Sequence, residues 1–260
     1  MTILDKLAEH ARERVAEAKK DISLSEIYRV AMSMPKGGFV FENALKSDDI
    51  SFICECKKAS PSKGLIAENF PYLQIAKDYE AAGADCISVL TEPKWFLGRN
   101  DYLREIAANV SIPCLRKDFT VDEYMIYEAK TLGASAVLLI VSILSETQLR
   151  EYIKICDELG LSALVEIHDD NEALTAVNAG ARLIGVNNRN LKDFSVDTGN
   201  SRRLRNLIPR DILFVSESGV KTADDVNALR EIGADAVLVG ETLMKAENKC
   251  DKLKELRGLS

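Results

Sequence analysis

The sequence predicts an α/β protein: a (β/α)8 TIM barrel with an N-terminal helical extension. Three observations point there. From residue 50 onward, eight short apolar runs alternate with eight longer amphipathic ones, the pattern of a parallel sheet covered by helices. Four connectors, "AAGADCI", "TLGASAV", "NAGARLI" and "EIGADAV", each set a glycine after a helix-like run and a small residue before the next apolar run. Charged and amide residues gather at the C-terminal ends of the apolar runs, where barrel proteins carry their working groups.

In chain order, residues 1–48 form the extension, with one long amphipathic helix expected over 3–19 and a shorter one over 24–32. Residues 1–260 are expected to make a single barrel domain with this extension packed on it. Strands are expected at 51–57, 86–90, 113–117, 136–141, 163–166, 183–187, 212–216 and 236–239. Helices are expected at 72–82, 101–108, 122–132, 146–159, 170–179, 200–208, 223–232 and 242–247. Apolar residues three and four apart support the helices, and Ser145 with Glu146 and Thr222 with Asp225 look like caps. The connector glycines suit the left-handed position that ends a helix. A doubly wound open sheet is the structural alternative, but no G-x-G-x-x-G favours its dinucleotide-binding form.

Composition narrows the function classes. The 260 residues are 47% hydrophobic and 29% charged, with a net charge of −7. The acidic balance argues against a nucleic-acid partner. No apolar run is long enough for a membrane span, and the charged N-terminus has no signal core. Six scattered cysteines lack metal-site spacing. They suit buried, reduced thiols, so a cytoplasmic protein is expected. With only His10 and His168 as histidines, neither a metal site nor His-centred catalysis is indicated. His168 is expected to be an exposed loop residue.

The strand ends carry the chemistry. Strand one ends in Glu55 and Lys57, strand three in Lys117 and Asp118, strand five in Glu166. Strand six ends in Asn187 with Arg189 beyond it, and strand seven in Ser216, Glu217 and Ser218. Alternation puts Glu55 and Lys57 on one face with Ile53, and Cys54 and Cys56 on the other, toward the helices. Lysines and glutamates converging at a barrel mouth tune each other's pKa, as acid–base work requires. Gly219 and Gly240, with the backbone of Glu241, lie in the loops after strands seven and eight, where such barrels bind phosphate; tight turns alone are the plainer reading. The carboxylate of Glu241 is expected to point away from a phosphate. Trp95, Phe96 and Phe119 admit two readings, a wall for an aromatic ligand or a cap on the barrel top. The "SPSKG" run after strand one is expected to hold no regular structure.

In order along the chain, "ECKKASPSKG", "LRKDF", "LLIV", "LVEIH", "GVNNRNL", "SESGV" and "LVGETLM" stand at strand ends. Together with the helical extension they resemble the indole-3-glycerol phosphate synthase family over essentially the whole chain. The resemblance implies ring closure, decarboxylation and dehydration of 1-(2-carboxyphenylamino)-1-deoxyribulose 5-phosphate, without metal or organic cofactor. It implies Lys117 as general acid for ring closure and Glu166 as its base or charge-stabilising partner. Glu55 and Lys57 would serve later proton transfers, or Lys57 would chiefly hold the anionic substrate, and Asn187, Glu217 and Ser218 would support them. Arg189 would meet the anthranilate carboxylate, Phe96, Phe119, Leu138 and Leu191 would wall the ring, and Ser60, Gly219, Gly240 and Glu241 would hold the phosphate. The isomerase domain fused to some members is not expected after strand eight. The implied partner is a small phosphorylated molecule, with no nucleic acid or membrane, and the protein is a monomer or weak homo-oligomer. A phosphoribosylanthranilate isomerase-like barrel and a non-catalytic phosphate-ligand sensor are the rival readings; the isomerase reaction does not call for the Glu-x-Lys pair of strand one, and ligand binding alone needs fewer than the four convergent charged residues.

Overall fold

A computed structural model describes residues 2–190 and 194–259. Three helices precede the sheet: α1 (Ile3–Asp21), α2 (Leu24–Ser33) and α3 (Val40–Ala44). Strand β1 (Ser51–Cys56) is followed by a two-stranded antiparallel hairpin of β2 (Ala59–Ser60) and β3 (Gly64–Leu65). The "SPSKG" run is therefore not free of regular structure: Ser60 pairs with Gly64 around the turn at Pro61. Seven further strands alternate with helices: β4 (Cys86–Leu90), β5 (Cys114–Lys117), β6 (Ala136–Ile140), β7 (Ser162–Ile167), β8 (Leu183–Asn187), β9 (Leu213–Glu217) and β10 (Ala236–Val239). They close a parallel barrel in the order β1-β10-β9-β8-β7-β6-β5-β4, as expected from eight strand–helix repeats.

The local rules that predicted the elements operate in the fold. Gly83, Gly133, Gly180 and Gly233 of the four repeated connectors all have φ between 74° and 88°, a conformation that costs glycine little. Asp85 and Asp235 of two connectors accept the backbone N–H of Phe52 and Phe214, each at 2.7 Å. Helices α7 (Glu146–Leu159) and α10 (Ala223–Glu231) start with capping boxes built on Ser145 with Gln148 and on Thr222 with Asp225. Helix α9 (Gly199–Arg205) stops short of the expected 208, because Ile208 precedes Pro209 and is pushed out of the helical region. Helices α3 and α12 (Lys249–Arg257) lie outside the expected set.

Two placements of the extension matter for the site. Helix α3 lies at the N-terminal end of β7 and β8, where its Glu42 N–H donates to Ser162 Oγ (3.2 Å) and its carboxylate pairs with Arg182 (3.0 Å). Helix α1 lies over the opposite ends. His10 is 3.2 Å from Glu92 after β4, Arg14 grips Asp118 after β5 with two bonds of 2.6 and 3.1 Å, and Lys19 meets Asp122 at 2.8 Å. Trp95 packs edge-on against His10 with ring centroids 5.4 Å apart, so its cap reading holds.

Candidate active site

A cavity of about 710 Å³ opens at the C-terminal ends of the strands. Its floor is charged. Lys117 ends β5 and extends Nζ between two carboxylates, 2.8 Å from Glu166 Oε2 of β7 and 2.9 Å from Glu217 Oε2 of β9. Burial opposes the lysine's charge, yet Glu166, Glu217 and Glu55 outweigh burial and hold its ammonium above the usual range. Burial also pushes Glu166 up, but Lys117 and His168 overcome it and keep its carboxyl below the ordinary value. Glu217 goes the other way. Burial and the neighbouring Glu166 prevail over Lys117, and its pKa rises to about 7. Its Oε1 is buried with no hydrogen-bond partner. Two carboxylates sharing one ammonium thus sit on opposite sides of their normal value.

Beside this trio, Lys57 Nζ lies 2.5 Å from Glu55 Oε1, and Ser88 Oγ donates to Glu55 Oε2 at 3.4 Å. Asn187 ties β8 to its neighbours: its Nδ2 donates to Glu166 Oε1 (3.2 Å), while its Oδ1 accepts from Ser218 Oγ and the Arg189 N–H, both at 3.0 Å. Ser218 has φ 66° and Gly219 φ 101°, a tight reversal that turns the backbone after β9 back over the cavity. Ser60, Lys63, Gly219, Gly240 and Glu241 also line the cavity. Among the described residues, no group of three His, Cys, Asp or Glu side chains converges as metal ligands would.

The family described as indole-3-glycerol phosphate synthase matches residues 4–256. A protein of that name from Ruminiclostridium cellulolyticum is 59% identical over 257 residues, covering 98% of this chain and 99% of its own. The chain belongs to the indole-3-glycerol phosphate synthase family. A synthase of the same name from Endomicrobium trichonymphae is 51% identical over 98% of this chain and 99% of its own. Among solved structures, 3-hexulose-6-phosphate synthase matches with a TM-score of 0.66 at 16% identity, over 81% of this chain and 99% of that one. A tryptophan synthase complex from Pyrococcus furiosus matches with a TM-score of 0.60 at 16% identity, over 81% of this chain and 98% of that one. These two likenesses concern the fold alone.

The cavity of this synthase-family chain brings together most of the residues that the sequence singled out. Glu55, Lys57, Ser60, Lys117, Glu166, Asn187, Arg189, Glu217, Ser218, Gly219, Gly240 and Glu241 all line it. So do Leu138, Phe96 and Phe119, the two rings 6.0 Å apart and tilted by 39°. Leu191 lies outside the described residues. Cys54 and Cys56 are buried on the helical side, where Tyr79 of α4 (Tyr72–Ala81) reaches the Glu55 carbonyl at 3.4 Å.

One finding differs from the sequence reading, that at His168, and two add to it. The carboxylate of Glu241 stays at the rim, 2.7 Å from Lys245, 3.7 Å from Lys63 and 3.8 Å from Arg189; those cations hold it there and neutralise it. His168 is no exposed loop residue, because its ring is drawn in between Glu166 and Glu172. Gly240 does more than turn the chain. A Cβ there would collide with Glu55 Oε1 and lie 2.9 Å from Lys57 Nζ, so its bareness makes room for that pair.

Other residues of the site escaped the sequence reading. Ile3 and Leu7 of α1 line the cavity, and nothing in the helix's periodicity says where it docks. Asn188 lies beneath the loops, its Nδ2 donating to Ser216 Oγ (3.0 Å) and the Ser218 carbonyl (3.1 Å) and its Oδ1 accepting from Ser201 Oγ (2.9 Å). The doubled asparagine of "GVNNRNL" was the available signal: a buried amide among polar residues has to be fully bonded.

Proposed function

We propose that the protein converts 1-(2-carboxyphenylamino)-1-deoxyribulose 5-phosphate to indole-3-glycerol phosphate, a carboxy-lyase reaction of tryptophan biosynthesis, at this cavity. The observation that carries the assignment of roles is the Lys117 ammonium wedged between Glu166 and Glu217 on the cavity floor. In ring closure the aromatic carbon bearing the carboxylate attacks the C2′ carbonyl, and Lys117 donates the proton that the carbonyl oxygen takes up. Carbon dioxide then leaves with its bonding electrons retained by the ring, which restores aromaticity. Dehydration removes a proton from C1′ and expels the new hydroxyl as water. Glu166, held ionised, accepts that proton, and Lys57, steadied by Glu55 at 2.5 Å, protonates the departing hydroxyl.

Glu217, Asn187 and Ser218 hold the trio and the loop around the reacting atoms. Phe96, Phe119 and Leu138 give the anthranilate ring an apolar wall. Arg189 serves its carboxylate. Ser60, Gly219, Gly240 and the Glu241 backbone take the phosphate, with Lys63 adding charge. Residues 1–260 act as one unit in this reading, since α1 supplies Ile3 and Leu7 to the cavity. Six free cysteines suit a reducing compartment such as the cytoplasm.

Purified protein given the carboxyphenylamino substrate is expected to produce indole fluorescence. Lys117→Ala is expected to lower kcat by about 10²–10⁴, the usual contribution of a positioned acid, with KM little changed. Wild-type turnover in that variant would remove Lys117 from the acid role.

A further inference from the structure

His168 stands two residues beyond Glu166, immediately after the end of β7. Its ring is 19% exposed and does not line the cavity; it lies behind Glu166. Nδ1 is 3.0 Å from Glu172 Oε2, and the same oxygen accepts the His168 N–H at 2.7 Å. Nε2 is 3.3 Å from Glu166 Oε1, at ion-pair distance but out of hydrogen-bond alignment. Asn200 Nδ2 donates to the His168 carbonyl at 3.2 Å and fixes the turn. Each ring nitrogen thus faces a carboxylate. That arrangement favours a ring with both nitrogens protonated.

We infer that His168, clamped by Glu172, is a positioning residue that keeps Glu166 ionised and aimed into the cavity from the side opposite Lys117. The inference rests on the reading of Glu166 as the proton acceptor. Its logic follows from the row of charges Glu172, His168, Glu166, Lys117, Glu217. When Lys117 gives its proton to the substrate, buried Glu166 loses the cation at 2.8 Å. A buried carboxylate without a cation takes up a proton and ceases to be a base. His168 supplies a second cation that the reaction does not consume. Burial would lower the histidine's pKa, but Glu166 and Glu172 raise it to about 10. The charged groups facing it are Glu166 from β7 and Glu172 from α8 (Asp170–Asn178), with Lys117 and Glu217 beyond Glu166. Asn187 and Asn200 are its uncharged neighbours on the adjoining elements.

The test compares pH profiles of kcat/KM for wild type, His168→Gln, Glu172→Gln and Glu166→Gln, with thermal midpoints to check folding. In His168→Gln the acid limb is expected to move upward by about one to two pH units, the effect of removing a nearby opposite charge. Rates should converge with wild type at alkaline pH, with kcat rather than KM carrying the loss. Glu172→Gln should move the limb the same way by less. The chain has two histidines, so NMR of the ring resonances can follow His168 directly. It should stay protonated through neutral pH in wild type and titrate lower in Glu172→Gln. A folded His168→Gln with an unmoved limb and a uniform loss of rate would overturn the inference. Should His168→Gln not fold, an unmoved limb and an unmoved His168 resonance in Glu172→Gln would overturn it equally. Glu166→Gln separates the two claims. If it retains turnover, the base assignment falls and this inference with it; if it is inactive while the limbs stay put, only the role of His168 falls.

Discussion

Lys117 holds two buried carboxylates that would otherwise repel each other, and its removal exposes that cost. In Lys117→Met both glutamates lose their ammonium; Glu166 keeps His168 at 3.3 Å, but the already raised pKa of Glu217 moves further above its unfolded value. Folded protein then binds more protons than unfolded. The stability that Glu217 retains is present below about pH 4.3, the unfolded glutamate value, and is lost as pH rises through its folded value. The variant's deficit is therefore expected to be larger at pH 8, about 3–5 kcal/mol as for other broken buried pairs, than at pH 5. Urea unfolding at the two pH values measures it, and a deficit independent of pH would contradict the ion-pair account. In wild type, Glu166 contributes stability above its unfolded pKa. Glu217, raised to about 7, loses some as pH climbs from 4.5 to that value.

Gly240 offers a second residue-level check. Its φ is −114°, so alanine meets no left-handed strain there, and only the collision with Glu55 and its nearness to Lys57 remain. Gly240→Ala is expected to fold with a near-native thermal midpoint while kcat falls by about 10², the cost of displacing a reacting group by about an ångström. Unchanged kcat would separate the Glu55–Lys57 pair from the chemistry. At this scale the sequence was legible wherever a side chain's face follows from strand parity: Glu55, Lys57, Lys117, Glu166 and Glu217 all point where alternation sends them. His168 was not legible, because its environment is made by Glu172 four residues on, after β7 has ended.

Among the elements, α1 is the least predictable from its own sequence. Its length and amphipathic face were readable, but its partners Glu92, Asp118 and Asp122 lie 82, 104 and 103 residues from His10, Arg14 and Lys19. Asp118 is 1% exposed and directly follows Lys117. Arg14→Ala is expected to destabilise the protein by about 2–3 kcal/mol, below the full value for a buried pair, since Thr91 and the Phe119 N–H still bond Asp118. Arg14→Lys should recover part of the loss, as shifts of the urea midpoint would reveal. The β2–β3 hairpin and α3 were missed for local reasons. The hairpin has two residues per strand, and α3 begins from Phe39 at φ 51° with no side-chain cap, so neither leaves the periodic or capping signal that marks longer elements.

For the molecule as a whole, eight apolar runs and four glycine connectors specified a closed parallel barrel, because a parallel sheet buried on both faces leaves few other ways to cover it. The same burial shields the thiols. Five of the six cysteines are buried and Cys250 is partly exposed. Burial pushes the Cys114 thiol up to about 12 and the Cys54, Cys56, Cys86 and Cys156 thiols further still. A thiol-reactive chromogen is therefore expected to titrate at most one group quickly in native protein, the one removed by Cys250→Ser, and six in denaturant. Several fast native thiols would show that the wall formed by β1, β4 and β5 opens.

The order in which strands meet has a consequence for how this chain is made. Lys57 and Lys117 belong to the first half of the barrel, Glu166 and Glu217 to the second, and Gly240, which admits the Glu55–Lys57 pair, follows β10, the eighth strand of the barrel and the one that pairs with β1. A chain still emerging from the ribosome thus carries Lys117 before the two carboxylates that hold it. Lys117 meets both of its carboxylates only once β9 has been made.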